Sequence, residues 1–421
     1  MKPVSFKRLA ATLTALVLFS TFGPTNASAQ GASTGASSEQ SLRVLEKRIA
    51  EWDSFGWPKK GRFTVSQRAL DSYVEFNKRL WNDYGITYMF APTLMGQWGT
   101  HPGRNFTANY QHNILIFWRV FEESVIGSGS FVFNALQIRQ LTKTTGVTFA
   151  GAAGINFFTS DSPADSDTIK AIYWRQDLPG GFANIRVGHV ELSGIDGGCT
   201  YACDDTTSFI SAPLAANPAR TMPGQGMGII AELIFGGGIS VEAGVADGNG
   251  DGTVNAGRPF RTRELAYAAA IIARNPFPQL GAGHYRLSFY YVDPTKQGTP
   301  GAIAATRGFS IQADQDFGNY GVFARYTKTF GRLGAVSQTA AGGLVWNKPF
   351  GHDEDKLGAG FGWVAPTAAG TRNEYVAETF YRLQLTPLVS VTADAMLLIN
   401  PSKAPKSNMS GVFTLRTRAH F

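Results

Sequence analysis

The chain has 421 residues, of which 48 are glycine, 12% aromatic and only 16% charged, with a formal net charge of +7 and a mean hydropathy close to zero. Beyond the N-terminus the longest near-continuous apolar run is the short AYAAAIIA at Ala266 to Ala273, so helical membrane spans, which need about 18 or more apolar residues, are excluded. Charge this sparse also sets the chain apart from cytosolic enzymes, where about 25% is usual, and leaves a large β-structure with much apolar surface.

Lys2, Lys7 and Arg8 precede the apolar stretch Leu9 to Phe22, and Ala27-Ser28-Ala29 supplies small residues before Gln30. This is the pattern of a secretory signal peptide over residues 1–29. Its removal takes away three positive charges and lowers the net charge from +7 to +4. No Lys/Arg run remains, so no nucleic-acid partner is expected. Gln30 to Gln40, rich in Gly, Ser and Ala, reads as a flexible lead-in. Leu42, Leu45, Ile49 and Trp52 then mark an amphipathic helix over residues 41–54, too short to define a coiled coil, which leaves packing on a barrel end and self-association both open. A second helix is predicted over Gln67 to Asp83, capped by Ser66, with Leu70, Tyr73, Val74 and Trp81 on one face. Residues 30–84 are thus linker and helices, and residues 85–421 the main domain.

From Gly85 onward the period changes to two. Phe413, Leu415, Thr417, Ala419 and Phe421 alternate with Thr414, Arg416, Arg418 and His420, and Ala377, Thr379, Tyr381, Leu383 and Leu385 alternate with Glu378, Phe380, Arg382 and Gln384. In an outer-membrane barrel such an apolar face meets lipid while the polar face lines the lumen. The aromatic Phe421 ending the chain resembles the terminal signal that bacterial barrel-assembly machinery recognises. Candidate strands begin near Tyr88, Phe106, Gly129, Asp167, Phe182, Gly226, Gly238, Arg261, Ala282, Ala304, Gly318, Gly334, Lys356, Thr371, Leu388 and Ser410. Bacterial single-chain barrels have even strand numbers, short periplasmic turns and longer external loops. Reading Val147 to Asp165 as loop gives a 16-stranded antiparallel transmembrane β-barrel. The Cys-containing segment, DGNGDG and Asn400 to Met409 then lie outside, and the tight joints at Pro179-Gly180, Gly236-Gly237 and Pro387 lie on the periplasmic side.

Ordered motifs carry a family resemblance. EYVAETFYRLQLTP (Glu374 to Pro387) and VTADAMLLINP (Val391 to Pro401) resemble the C-terminal signature of the carbohydrate-selective porin (OprB) family. NYGVFARY (Asn319 to Tyr326), GGLVWNKPFGHDEDKLGAGFGW (Gly342 to Trp363), NIRVGHVELSG (Asn184 to Gly194) and VEAGVADGNGD (Val241 to Asp251) resemble it in the same order. The chain departs from the family pattern at LDSYVEFNKRLWNDYG (Leu70 to Gly85) and at Ala393. The resemblance implies a 16-stranded barrel in a Gram-negative bacterial outer membrane, in contact with its lipid, through which glucose and related small sugars diffuse passively. Monomer and homotrimer both remain open.

Sugar passage needs no covalent step. A selective pore offers fixed donors and acceptors to replace the water that a polyhydroxylated solute gives up. Strand parity places Arg119, Arg186, Glu232, Glu242, Arg286, Arg325, Glu378, Arg382, Gln384 and Asp394 on the lumen face. A lumen of both signs avoids strong ion selectivity; a general or anion-preferring porin is the alternative, and it would favour a Lys/Arg ladder with few acids. A barrel hydrolase would need a nucleophile, base and orienting group together, whereas the six histidines are scattered and no G-x-S-x-G occurs in residues 85–421, the match at Gly31 to Gly35 falling in the Gly/Ser/Ala-rich lead-in.

No cofactor is required, although Asp247, Asn249 and Asp251 in DGNGDGTVN match the first half of a calcium loop. Position twelve is Arg258 where an acid is needed, so only a loop site completed from elsewhere, or a plain polar turn, is open. Cys199 and Cys203 lie in GGCTYACDD. Export favours a local disulfide between them, since a metal site would need two further ligands and no His is near. Mass spectrometry of protein purified without reductant should therefore find no free thiol at either position.

Overall fold

The computed structural model describes residues 61–101, 103–154, 165–196, 200–202, 205–250, 252–294, 305–331 and 334–421. The predicted signal peptide and first helix lie outside the described residues, as do Cys199, Cys203 and Asp251. Sixteen strands follow one another in chain order: β1 (Ile86–Gly99), β2 (Phe106–Ser124), β3 (Gly127–Gln140), β4 (Ser166–Asp177), β5 (Ala183–Val190), β6 (Gly226–Ile234), β7 (Ile239–Asp247), β8 (Leu265–Arg274), β9 (Gly283–Val292), β10 (Thr306–Phe317), β11 (Tyr320–Phe330), β12 (Val336–Asn347), β13 (Lys356–Pro366), β14 (Glu374–Gln384), β15 (Val389–Ile399) and β16 (Met409–Ala419). Each pairs antiparallel with its sequence neighbours, and β1 closes on β16 to make a continuous barrel. Closure leaves no sheet edge, which a lipid environment would not tolerate.

No strand starts more than four residues from its expected position, the largest offset being Arg261 against Leu265. Burial follows the predicted alternation. Leu94, Phe289, Ile311, Phe361, Phe413 and Leu415 are exposed on the outer face, while Thr414 and Arg416 between them are buried inside. An apolar band of this extent around a barrel belongs against lipid. Short joints collect at the end that carries both barrel termini. Two of the expected ones turn on left-handed glycines, Gly180 at φ 77° and Gly237 at φ 72°, a region open to glycine without steric strain.

At that same end lies α1 (Gln67–Tyr84). Ser66 occupies the cap position, but only its carbonyl takes part, accepting from the Leu70 N–H, and the expected hydroxyl cap is not formed. Gly85, at φ 68°, donates its N–H to Leu80 and Trp81 and stops the helix. The predicted face packs on the barrel rim: Leu70 is buried, the Tyr73 ring sits edge-on to Phe421, and Trp81 packs against Phe117 with the Arg119 guanidinium 4.1 Å over its ring. Phe421 itself fastens the seam. It exchanges backbone hydrogen bonds with Phe90 at 2.9 and 3.0 Å, and the two rings stack.

Ahead of α1 the chain runs along the end of β14, with Arg62 N–H donating to Gln384 O and Phe63 N–H to Leu385 O, beyond the point where β13 begins. Arg62 also donates to Asp355 Oδ2 at 2.7 Å, where Tyr381 adds a second bond and the Gln384 N–H takes Oδ1. Burial alone would raise the Asp355 carboxyl pKa. The Arg62 bond, the backbone N–H and Tyr381 outweigh it and hold the group below the usual carboxylate range. A depressed folded pKa stabilises the attachment above the ordinary carboxylate range, and that stabilisation is lost as pH falls through the lowered value. Asp355→Asn should therefore free residues 61–66 at neutral pH, and strong acid should do the same in the unaltered protein. Limited proteolysis mapped by mass spectrometry will read this as new cleavage before α1 with the barrel intact.

Candidate functional site

The segment 191–225 joins β5 and β6 at the barrel end away from both termini. From there its described residues fold back into the lumen, which strand parity does not anticipate, carrying a turn of 3-10 helix at Leu192–Asp196 and a helical turn, α3, at Ala212–Ala215. Leu192, Ile195, Tyr201, Phe209, Ile210 and Leu214 are almost fully buried there. FISAPLAA, Phe209 to Ala216, is too apolar for a water-exposed loop, and that composition is the signal that placement by strand parity overlooks. In the connection between β3 and β4, the described residues 141–154 also turn inward. They contain α2 (Gly146–Ala153), capped by the Thr145 hydroxyl, and Phe149, Ala150 and Ala153 pack with Met95, Ile210, Val376 and Val412.

The inner wall is shaped to receive the 191–225 loop. Gly343, Gly358, Gly360 and Gly362 line β12 and β13 opposite it. A Cβ at Gly360 would stand 2.9 Å from Leu214 Cδ2, and one at Gly362 would stand 2.7 Å from Pro213 Cβ. In the space these glycines leave, the Phe209 ring packs edge-on to Phe380 and against Phe323. On β11, Gly321 makes room for the Tyr201 ring, whose hydroxyl donates to Asp316.

Charged lumen groups bind the loop backbone. Arg416 Nη1 and Nη2 donate to the carbonyls of Asp205 and Ser208. The Glu378 carboxylate accepts from the Ile210 N–H at 2.5 Å and the Ser211 N–H at 2.9 Å. Arg325 Nη2 reaches the carbonyls of Pro213, Leu214 and Ala216. Asn217 spans to Ser310 and Thr327, and Thr329 and Tyr290 donate to the Ala219 carbonyl.

The predicted lumen residues are accordingly drawn into distinct settings. Arg325 and Glu378 hold the loop, and Asp394 is fully buried with Arg416 Nη2 3.8 Å away. Arg186, Glu232 and Glu242 form a network on β5 to β7: Arg186 meets Glu242 at 2.5 Å, while Glu232 accepts from Asn184 and from Arg274. Arg119 stands apart at the rim under Trp81, paired with Glu122. Arg382 donates to the Glu354 carbonyl, and Gln384 to Thr386 in the β14–β15 turn. Arg286 lies on β9 directly beside Gln312. Sequence reasoning did not single out Arg416, Arg274, Tyr201 or Gln312. The alternation ending at Phe421 already puts Arg416 on the lumen face, whereas nothing in the sequence pairs Tyr201 with Asp316.

In the possible calcium loop, Asp247 is buried and bonded to Arg258 Nε at 2.5 Å, and its other oxygen accepts from the Asn249 N–H. The residue at position twelve thus engages the first carboxylate directly. Among the described residues no three of His, Cys, Asp and Glu gather as a metal site.

A closed 16-stranded barrel with an apolar outer band, a polar inner wall and an inward loop defines a diffusion porin of the outer-membrane type. The chain belongs to the carbohydrate-selective porin, OprB family, whose model matches residues 128–421. It is 26% identical over 309 residues to a protein named Porin AaxA from Chlamydia pneumoniae, covering 71% of this chain and 69% of that one. The fold is shared with OprB of Pseudomonas putida. The high-pH structure of that protein superposes with a TM-score of 0.66 at 14% identity, and the low-pH structure with 0.53 at 12% identity, each covering 83% of this chain and 97% of that one. Fold and family are those of a channel.

Because charge-assisted hydrogen bonds are worth about 1.5–3 kcal/mol each, Arg325→Ala should loosen the Pro213 to Ala216 stretch without disturbing the outer face. Single-channel recording in a planar bilayer should then show a higher and noisier conductance, while heat-modifiable migration on gels shows the barrel still closed.

Proposed function

We propose that the chain is a passive, substrate-selective pore for small neutral carbohydrates such as glucose and other monosaccharides in a Gram-negative outer membrane, with both barrel termini in the periplasm. The observation that carries this reading is the pairing of the lumen charges. Arg186 and Arg274 are set against Glu242 and Glu232, Arg175 against Asp177, and Arg416 against Asp394. Guanidiniums neutralised in this way leave little net field for an anion, yet keep a dense set of dipoles for hydroxyl groups. The family's description as carbohydrate-selective supports the same reading. An anion-preferring pore would instead leave its cations unpaired along the path. In this proposal Phe421, besides closing the seam, serves as the terminal signal for the barrel-assembly machinery.

Proteoliposomes carrying the protein should swell faster in glucose than in a disaccharide of equal osmolarity, and glucose should lower the salt current through single channels. Free passage of small anions with neither sugar block nor faster monosaccharide entry would replace this reading with the anion porin.

A further inference from the structure

Three inward side chains stand in register on adjacent strands: Arg286 on β9, Gln312 on β10 and Arg325 on β11. All are buried, Gln312 to 4% exposure. Arg325 is committed to the loop carbonyls. The Gln312 amide differs from its surroundings, since neither its Oε1 nor its Nε2 has a hydrogen-bond partner among the described residues. Burying both ends of an amide unpaired is costly, and an aliphatic side chain would fill the same place without that cost.

The loop approaches β10 on both sides of this residue. Asn217 Nδ2 binds Ser310 Oγ, two residues before Gln312, and the Thr200 N–H binds Asp314 Oδ1, two residues after it. By the strand period these three side chains share the lumen face, so Gln312 lies between two footings of the loop while the described residues of the loop use neither end of the amide. Asp314 keeps its second oxygen, Oδ2, without a partner among the described residues.

We propose that Gln312, with Arg286 at its side and Asp314 Oδ2 next along the strand, is a binding position for a pair of adjacent hydroxyls on a neutral sugar. This assignment rests on the carbohydrate reading of the pore and gives it a location. The amide presents one acceptor and one donor side by side, the complement of two neighbouring ring hydroxyls, one donating and one accepting. Asp314 Oδ2 takes a third hydroxyl. An anion would find the guanidinium but would also face the Gln312 carbonyl and the Asp314 carboxylate, both acceptors. The set therefore favours a neutral solute with several donors of its own, as sugars have, over chloride, which has none, and over phosphate, whose one or two hydroxyls come with a net negative charge that the acceptors oppose.

The test is glucose block of the single-channel current in purified, reconstituted protein, comparing the unaltered chain with Gln312→Leu and with Gln312→Met. Both substitutions keep the side chain's bulk and remove its hydrogen bonds. Salt conductance and heat-modifiable migration should be unchanged, because among the described residues the amide holds neither loop nor wall. The glucose concentration for half block should rise about tenfold, the effect of losing one or two hydrogen bonds to the solute. Block of the unaltered channel at a concentration that both variants leave unchanged would overturn this site while leaving the sugar pore standing. A channel that glucose does not block at all would overturn both. Variants that shift inhibition by inorganic phosphate and leave glucose block untouched would make this an anion position and refute the proposal.

Discussion

A segment drawn into a barrel leaves water without gaining a ladder to join, because every strand of the wall is already paired on both sides. Its backbone groups must be met by side chains. Between Asp205 and Ala219 this requirement selects the lumen residues. Arg416 takes the carbonyls of Asp205 and Ser208, Glu378 the N–H groups of Ile210 and Ser211, Arg325 the carbonyls of Pro213 and Leu214 in the α3 turn, and Tyr290 with Thr329 the carbonyl of Ala219. A guanidinium suits the task because its five N–H donors fan out in a plane and reach several carbonyls at once. These lumen charges act as the loop's missing secondary structure, and the course of the pore depends on them.

Hydrogen bonds of this length need the loop backbone close to the wall, and closeness needs room. Gly360 and Gly362 on β13, with Gly343 on β12, provide that room where Leu214, Pro213 and the Phe209 ring press inward. The two features are coupled. Side chains at those glycines would lift α3 away from Arg325 and leave its carbonyls unmet, while glycines without Arg325 and Glu378 would leave an apolar hollow with nothing to fix what fills it. The same pairing of small wall residue and loop side chain recurs at Gly244, where Leu192 packs, and at Gly321 under Tyr201.

How much of this the sequence discloses follows from the range of each interaction. The sixteen strands and the face each residue takes are set by local alternation, so even the far-apart partners β1 and β16 are implied once closure is required. Strand parity likewise puts Glu378, Arg325 and Asp394 inside. It does not say what they meet there, because the 191–225 loop has no period from which a register could be read. Nor does parity show that Arg186, Glu232 and Glu242 meet as one network, which depends on the β5–β7 register. Ser66 shows the opposite limit: a residue type favoured as a cap stands at the cap position, yet the N–H groups of α1 go without its hydroxyl. The compositional clue in Phe209 to Ala216 was available, and it points inward for the reason that the outer face of the strands points to lipid.

Fixing a loop with charges has an electrostatic consequence for whatever crosses. A carboxylate that accepts two backbone N–H groups and a guanidinium spread over three carbonyls have spent their strongest interactions on the protein, and the Arg186–Glu242 and Arg274–Glu232 pairs cancel one another at close range. An ion entering such a lumen gives up hydration and meets little uncompensated charge in return. A neutral solute with hydroxyls gives up less, and it can exchange each water hydrogen bond for one of the many dipoles on the wall. In the proposed sugar pore, selectivity for neutral polyols over ions would thus arise from the same contacts that hold the loop in place.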